Sequence, residues 1–182
     1  SLGGAIIELD YLHGNITKYN NKNGILDGFW GIYNPNNFSE YMVVSQIEKD
    51  QSGNIWIVNP FCERYGNLLA IQSAEDNSWS HVTIPDSSSF RPQTIAFDRS
   101  NRAWIGFIYD AQKLYDNPLD NRIYSAGGIK VFNSPDSSWI LISNPEILPG
   151  NNHNASVWSL VFDNMDFLWI MNEKGIRVFT YS

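Results

Sequence analysis

The stretch Asp50-Gln51-Ser52-Gly53-Asn54-Ile55-Trp56-Ile57 decides the fold, because its pattern occurs three times in the chain. In each copy an aspartate precedes a Trp-Ile pair by six residues, and the third residue after the aspartate is Gly, Asn or Asp. The repeated positions are Asp50, Gly53 and Trp56; Asp98, Asn101 and Trp104; and Asp163, Asp166 and Trp169. A register that recurs in this way indicates a repeat protein.

The centre of each copy predicts a tight hairpin turn. Aspartate hydrogen-bonds the backbone of a turn that it opens, and Gly, Asn and Asp tolerate positive φ with the least strain. Apolar or alternating runs flank each turn, so a strand is expected on either side. We therefore interpret the repeated aspartates as turn residues and the repeated tryptophans as packing between sheets, and not as a catalytic or metal site.

Two more strands complete each unit. A third apolar run follows Gly66, Gly128 or Gly175, and a fourth run opens on Trp79 or Trp139 in two of the units. Four antiparallel strands per unit form a β-propeller blade. The sequence therefore predicts an all-β fold, a segment of a β-propeller.

The units divide the chain into two complete and two partial blades. We expect residues 1–40 to hold late strands of a partial blade and a connection, 41–85 a complete blade, 86–143 a complete blade with a long loop at 107–127, and 144–182 a connection and a three-strand blade. Closed propellers have four to eight blades. An incomplete part of a larger propeller is expected, with edges that pair with the remaining blades or with another molecule.

The repeat resembles the two-component regulator propeller family, in which Asp-x-x-Gly-Asn precedes Leu-Trp-Ile-Gly-Thr. Residues 50–57 carry the closest match, whereas Val58-Asn59, Gly106-Phe107 and Met171-Asn172 replace the Gly-Thr. The resemblance implies a noncatalytic binding or scaffold module in the periplasm, outside the cell or in the bacterial envelope. In that family such propellers form sensor regions of hybrid histidine kinases or occur in type IX secretion proteins, where an envelope protein is a further partner.

Composition narrows the range of partners that the chain is expected to bind. A net charge of -7 and a sequence pI near 4.8 argue against nucleic acid, which requires a basic surface. No apolar run approaches the roughly 18 residues needed to span a bilayer, so membrane insertion of this segment is not expected. No cofactor or metal is expected either, because Asp110, Asp116 and Asp120 do not fit a calcium loop and the three histidines are scattered.

Function is expected where the repeat is broken, in the loop at 107–127 and the connection after the second blade. Tyrosine, arginine and carboxylate side chains together suit a carbohydrate or peptide ligand. The candidate binding residues are Tyr109, Asp110, Tyr115, Asp116, Arg122, Tyr124 and His153. The same composition also fits a solvated insertion packed by its own tyrosines. The alternative function is a propeller enzyme that cleaves a polysaccharide or a lactone, but no catalytic residue can be assigned.

Overall fold

The computed structural model describes residues 6–21, 25–28, 42–60, 62, 67–85, 91–109, 125–142 and 155–180. All regular elements in these residues are strands, apart from isolated turns, which confirms the predicted all-β fold. The strands are β1 (Ile6–Asp10), β2 (Asn15–Tyr19), β3 (Gln46–Lys49), β4 (Ile55–Val58), β5 (Leu69–Gln72), β6 (Trp79–His81), β7 (Pro92–Phe97), β8 (Ala103–Phe107), β9 (Gly128–Asn133), β10 (Ser138–Ile142), β11 (Val157–Phe162), β12 (Leu168–Asn172) and β13 (Gly175–Phe179).

The strands form antiparallel sheets in sequence order. β3 to β6 make one four-stranded sheet, β7 to β10 a second, β11 to β13 a three-stranded sheet, and β1 pairs with β2 in a hairpin. We call the three larger sheets the first, second and third blades. The junctions predicted between the units fall at or beside residues outside the described part of the chain, so their positions remain predictions.

The first strands of the blades lie next to one another, with β7 against both β3 and β11. Gln46 in β3 links the first pair, because its amide donates to the Ile95 carbonyl at 2.8 Å and accepts from the Ile95 N–H at 3.0 Å. Thr94, at the same repeat position in β7, accepts a hydrogen bond from the Leu160 N–H at 3.1 Å. The same polar link therefore joins each blade to the next.

Apolar layers fill the space between the blades. Trp56 packs edge-on against Phe97 of the second blade at 5.4 Å between ring centroids, and Trp104 packs against Phe162 of the third blade at 5.6 Å. Both tryptophans are buried, whereas Trp169 is 43% exposed. The packing role expected of the repeated tryptophans therefore holds for two of them. The third differs because no described sheet covers its side of the third blade.

The hairpin β1–β2 covers the other side of the first blade. The Tyr19 ring lies 5.0 Å from that of Trp79, and its hydroxyl accepts a hydrogen bond from the Gln72 amide at 3.3 Å. Ile6 packs against a buried cluster that includes Ile57 and Ala70. One face of the hairpin thus joins the core, while Ile7, Leu9 and Ile16 remain exposed.

Candidate functional site

The repeated aspartates are occupied within their own turns. In the second blade, Asp98 accepts from the indole N–H of Trp104 at 2.9 Å, and from the backbone N–H groups of Ser100 and Arg102 at 2.9 and 3.0 Å. The Arg102 guanidinium also donates to it at 2.7 Å. The indole contact recurs at 3.0 Å between Asp50 and Trp56 and at 2.9 Å between Asp163 and Trp169. The spacing of six residues is therefore the spacing that brings carboxylate and indole together.

The residue three positions after each aspartate has a left-handed backbone. Gly53, Asn101 and Asp166 have φ values of 89°, 58° and 68°. Each donates its N–H to the carbonyl of its aspartate at 2.9 to 3.0 Å, which closes the turn. Neighbouring turns are also joined, since the Gln51 N–H donates to the Asn101 side chain at 2.9 Å and the Arg99 guanidinium to the Asn164 carbonyl at 2.9 Å. We call this end of the blades the turn face. The polar groups of its turns are occupied by hydrogen bonds within the chain.

The lowered pKa values of three turn aspartates also have structural causes. The Trp169 indole and the Phe167 N–H hold the pKa of Asp163 below its usual value. Hydrogen bonds from Ser78 and Ser138 lower the pKa of Asp76 and Asp136 in the β5–β6 and β9–β10 turns. Each shift comes from hydrogen bonds that stabilise the charged form. A stabilised carboxylate is a poor proton donor at neutral pH, so these groups do not suggest acid catalysis.

The opposite end of the blades, which we call the loop face, is where β7 and β11 begin and β8 and β12 end. Tyr109 follows β8 there. Its N–H donates to the Ser156 hydroxyl at 3.1 Å, and the Ser156 N–H donates to the Glu173 carboxylate at 3.0 Å. Tyr109 is therefore held beside the connection that enters the third blade.

A glycine makes this arrangement possible. A Cβ placed on Gly127 would lie 2.1 Å from the Ala155 carbonyl oxygen and 3.1 Å from Tyr109 Cβ. The Gly128 N–H donates to the same carbonyl at 2.8 Å. The end of the long loop is thus packed tightly against the start of β11. Of the candidate binding residues, the structure describes Tyr109, whereas Asp110, Tyr115, Asp116, Arg122, Tyr124 and His153 lie outside the described residues.

Two first strands begin with a bulge at the loop face. The pairing register shifts between Pro92 and Thr94 in β7 and between Val157 and Ser159 in β11, which leaves Gln93 and Trp158 without cross-strand partners. Bulges re-aim side chains and are common beside active sites. Trp158 is 46% exposed on the strand that lies against β7. Trp158 is thus a half-exposed indole near the start of β11, on the blade that has a side no described sheet covers.

Sequence reasoning missed Trp158, because the Asp and Trp-Ile register directs attention to the second strands. A signal was nevertheless present. Trp158 precedes the repeated Trp169 by eleven residues, and the equivalent positions before Trp56 and Trp104 are Ser45 and Gln93. A large aromatic side chain at a position that is polar in the other units marks a departure from the repeat.

Two buried asparagines hold loops at this face. Asn59 and Asn172 both stand three residues after a repeated tryptophan. The Asn59 amide donates to the Asp27 carbonyl at 3.3 Å, and Asn172 accepts from the Lys174 N–H at 2.9 Å. Both asparagines therefore have a structural role at this end of the blades.

The loop face thus combines an exposed indole, a positioned tyrosine backbone and the Gln93 amide. Aromatic faces bind the apolar side of a sugar ring or an apolar side chain, and amides orient a ligand through hydrogen bonds. Within the ranges that the structure describes, no three His, Cys, Asp or Glu side chains are grouped so that they could hold a metal ion. The arrangement is suited to binding a polar ligand with apolar surfaces.

Comparison with known proteins gives matches among solved structures. No protein-family model and no curated protein matches the chain. A candidate gluconolactonase matches with a TM-score of 0.55 and 14% identity over 97% of this chain and 53% of its own. The extracellular domain of a candidate hybrid two-component system from B. thetaiotaomicron matches with a TM-score of 0.51 and 18% identity, over 92% of this chain and 19% of its own.

PorZ, a surface component of the type-IX secretion system of Porphyromonas gingivalis, matches with a TM-score of 0.50 and 9% identity over 98% of this chain and 23% of its own. At these identities the matches show the fold alone, which is that of β-propeller proteins. The chain spans 53% of the first of these structures and smaller shares of the other two. Among the described residues there is no helix with the length and apolarity needed to cross a membrane.

Proposed function

We propose that this chain is a noncatalytic binding module, a propeller segment of an extracytoplasmic sensor or secretion-associated protein, and that it binds a carbohydrate or peptide ligand at the loop face. The proposal rests on the exposure of Trp158 at a bulge. Trp158 lies at the loop face, away from the turn face and its hydrogen-bonded turns. Loops positioned by a rigid scaffold are the usual place for binding residues.

The chemistry of the loop face favours a sugar. Trp158 is 46% exposed, so part of its apolar side chain is accessible to a ligand. Sugars present one apolar face and a rim of hydroxyls, which an aromatic ring and neighbouring amide or carboxylate groups complement. Gln93 supplies such an amide at the equivalent position of the neighbouring blade.

The long loop belongs to the same surface in this proposal. β8 ends at the loop face, and Tyr109 and Gly127 bracket the loop there. Tyr115, Tyr124 and Arg122 in the loop and His153 in the next connection are proposed to line the ligand together with Asp110 and Asp116. The double substitution Tyr115→Ala and Tyr124→Ala should then abolish binding and leave the melting temperature unchanged.

The proposed location of this chain and its proposed class of protein rest on the similarity of its fold to solved structures. The extracellular domain of a candidate hybrid two-component system and a bacterial surface component share the propeller fold with this chain. This likeness supports action outside the cytoplasm, either in sensing or in secretion. The remaining blades and an envelope protein would be the protein partners of such a module.

Binding and catalysis can be separated in one experiment, because a candidate gluconolactonase shares the fold as well. The chain is titrated with a panel of neutral and acidic oligosaccharides and unstructured peptides, and the same samples are assayed for lactone hydrolysis and for polysaccharide cleavage. Saturable binding to at least one oligosaccharide or peptide without turnover is expected. Turnover of a lactone or polysaccharide, or no binding to any probe, would contradict the proposal.

A further inference from the structure

Both ends of the long loop are attached to the same two consecutive residues, Ala155 and Ser156. At the start of the loop, the Tyr109 N–H donates to the Ser156 hydroxyl at 3.1 Å. Directly after its end, the Gly128 N–H donates to the Ala155 carbonyl at 2.8 Å. The connection that enters the third blade therefore holds the two ends of the loop together.

Glycine lets these segments approach one another so closely. A Cβ on Gly127 would lie 2.1 Å from the Ala155 carbonyl oxygen and 3.1 Å from Tyr109 Cβ. A Cβ on Gly106, in β8, would lie 2.5 Å from Val157 Cγ1. A side chain at either position would push the start of β11 away from the second blade. The sequence thus permits this contact both before and at the end of the long loop.

The third blade in turn holds Ser156. The Ser156 N–H donates to the Glu173 carboxylate at 3.0 Å. Glu173 lies in the turn between β12 and β13, where the buried Asn172 accepts from the Lys174 N–H at 2.9 Å. The turn closes at Gly175, whose φ of 114° suits glycine. Ser156 thus bonds the long loop through its hydroxyl and the third blade through its backbone.

We propose that Ala155 and Ser156 form a clamp that fixes the two ends of the long loop, and that Ser156 and Glu173 are positioning residues for ligand binding by that loop. This inference rests on the function proposed above, in which the long loop lines the ligand. A loop whose ends are already fixed loses less conformational freedom when a ligand orders it, so it binds more tightly than a loop with free ends. Loss of either positioning residue therefore weakens binding without removing a contact to the ligand.

The clamp can be tested without a ligand, by amide hydrogen exchange at Tyr109 and Gly128. Ser156→Ala removes the acceptor of the Tyr109 N–H, and Glu173→Ala removes the acceptor of the Ser156 N–H. Neither change removes the bond from Gly128 to Ala155. Exchange should nevertheless become about fivefold faster at both amides in each variant, the factor expected when one net hydrogen bond is lost from a coupled unit.

Three controls separate the clamp from general effects of substitution. Ser156→Thr retains the hydroxyl and should exchange at the original rates. Ser159→Ala changes another partly buried serine of the same strand and should also leave the rates unchanged. The Ile105 amide in β8 is the reference, because global unfolding would speed its exchange as well. Equal acceleration at Ile105 would overturn the clamp, as would acceleration confined to Tyr109 in Ser156→Ala or unchanged rates in Glu173→Ala.

Binding tests the positioning role. The four variants are titrated with the same panel of neutral and acidic oligosaccharides and unstructured peptides. Ser156→Ala and Glu173→Ala should bind about fivefold more weakly than the unaltered chain, whereas Ser156→Thr and Ser159→Ala should bind normally. Faster exchange with unchanged affinity would overturn the positioning role and leave the proposed function standing. No binding of any probe by the unaltered chain would contradict the proposed function and the positioning role together, whereas the exchange rates would still decide the clamp.

Discussion

The carboxylate of Asp98 accepts a 2.9 Å hydrogen bond from the indole N–H of Trp104, and both residues are buried, at 0% and 3% exposure. The same carboxylate caps the turn that joins their strands. The indole in turn packs against Phe162 of the third blade. One aspartate thus couples the geometry of a hairpin to the packing between two blades.

Asp98→Ala should lower the free energy of unfolding by about 3 kcal/mol, because a buried indole N–H, an arginine and two backbone N–H groups lose their acceptor. Chemical denaturation of the variant measures the loss. Asp163→Ala is the matched control and should cost less, since Asp163 is partly exposed and water can replace its bonds. Equal losses at the two sites would contradict the role of burial.

Trp104→Ala should lower the free energy of unfolding by about 3 to 5 kcal/mol, as expected for truncation of a large core side chain. The equivalent change Trp169→Ala should cost less, because Trp169 is 43% exposed. Thermal or urea unfolding of both variants measures the difference. A negligible change for Trp104→Ala would contradict its packing between the blades.

The chain should lose stability in acid. Hydrogen bonds lower the pKa of Asp10, Asp76, Asp136 and Asp163 in the folded state. Because the folded pKa lies below the unfolded value of about 4, their stabilisation is fully present above that pH and is lost as the pH falls through the folded pKa. Urea midpoints measured from pH 6 to pH 2.5 should therefore fall below about pH 4. A variant with asparagine at all four positions should show a flatter profile, and an unchanged slope would assign acid sensitivity to other groups.

The sequence predicted the fold because the local signals and the global pattern agree. The Asp50 to Trp56 register specifies a turn with a left-handed residue and two strands, and the glycine-led and tryptophan-led runs specify the other two. The sequence did not show why six residues separate each repeated aspartate from its tryptophan. The reason is a contact between the carboxylate and the indole, which lie on opposite sides of the turn. The sequence also did not predict the exposure of Trp169, which depends on what packs on the third blade.

The candidate site was harder to predict than the fold. Sequence pointed to the irregular loop, and the structure places Tyr109 at its start, bonded to Ser156. Trp158 was missed because it lies at a pairing irregularity, which residue types alone do not reveal. The remaining loop residues stay a prediction.

Trp158 tests the proposed function most directly. Trp158→Ala and the control Tyr11→Ala are titrated with any oligosaccharide or peptide that binds the unaltered chain, and their melting temperatures are compared. Tyr11 is 81% exposed in the β1–β2 turn, so its loss removes an equally accessible aromatic ring from a different part of the surface. The account predicts that Trp158→Ala weakens binding at least about tenfold, the effect of losing one stacking contact of about 1.4 kcal/mol, while Tyr11→Ala binds normally. Unchanged binding by a correctly folded Trp158→Ala variant would contradict it.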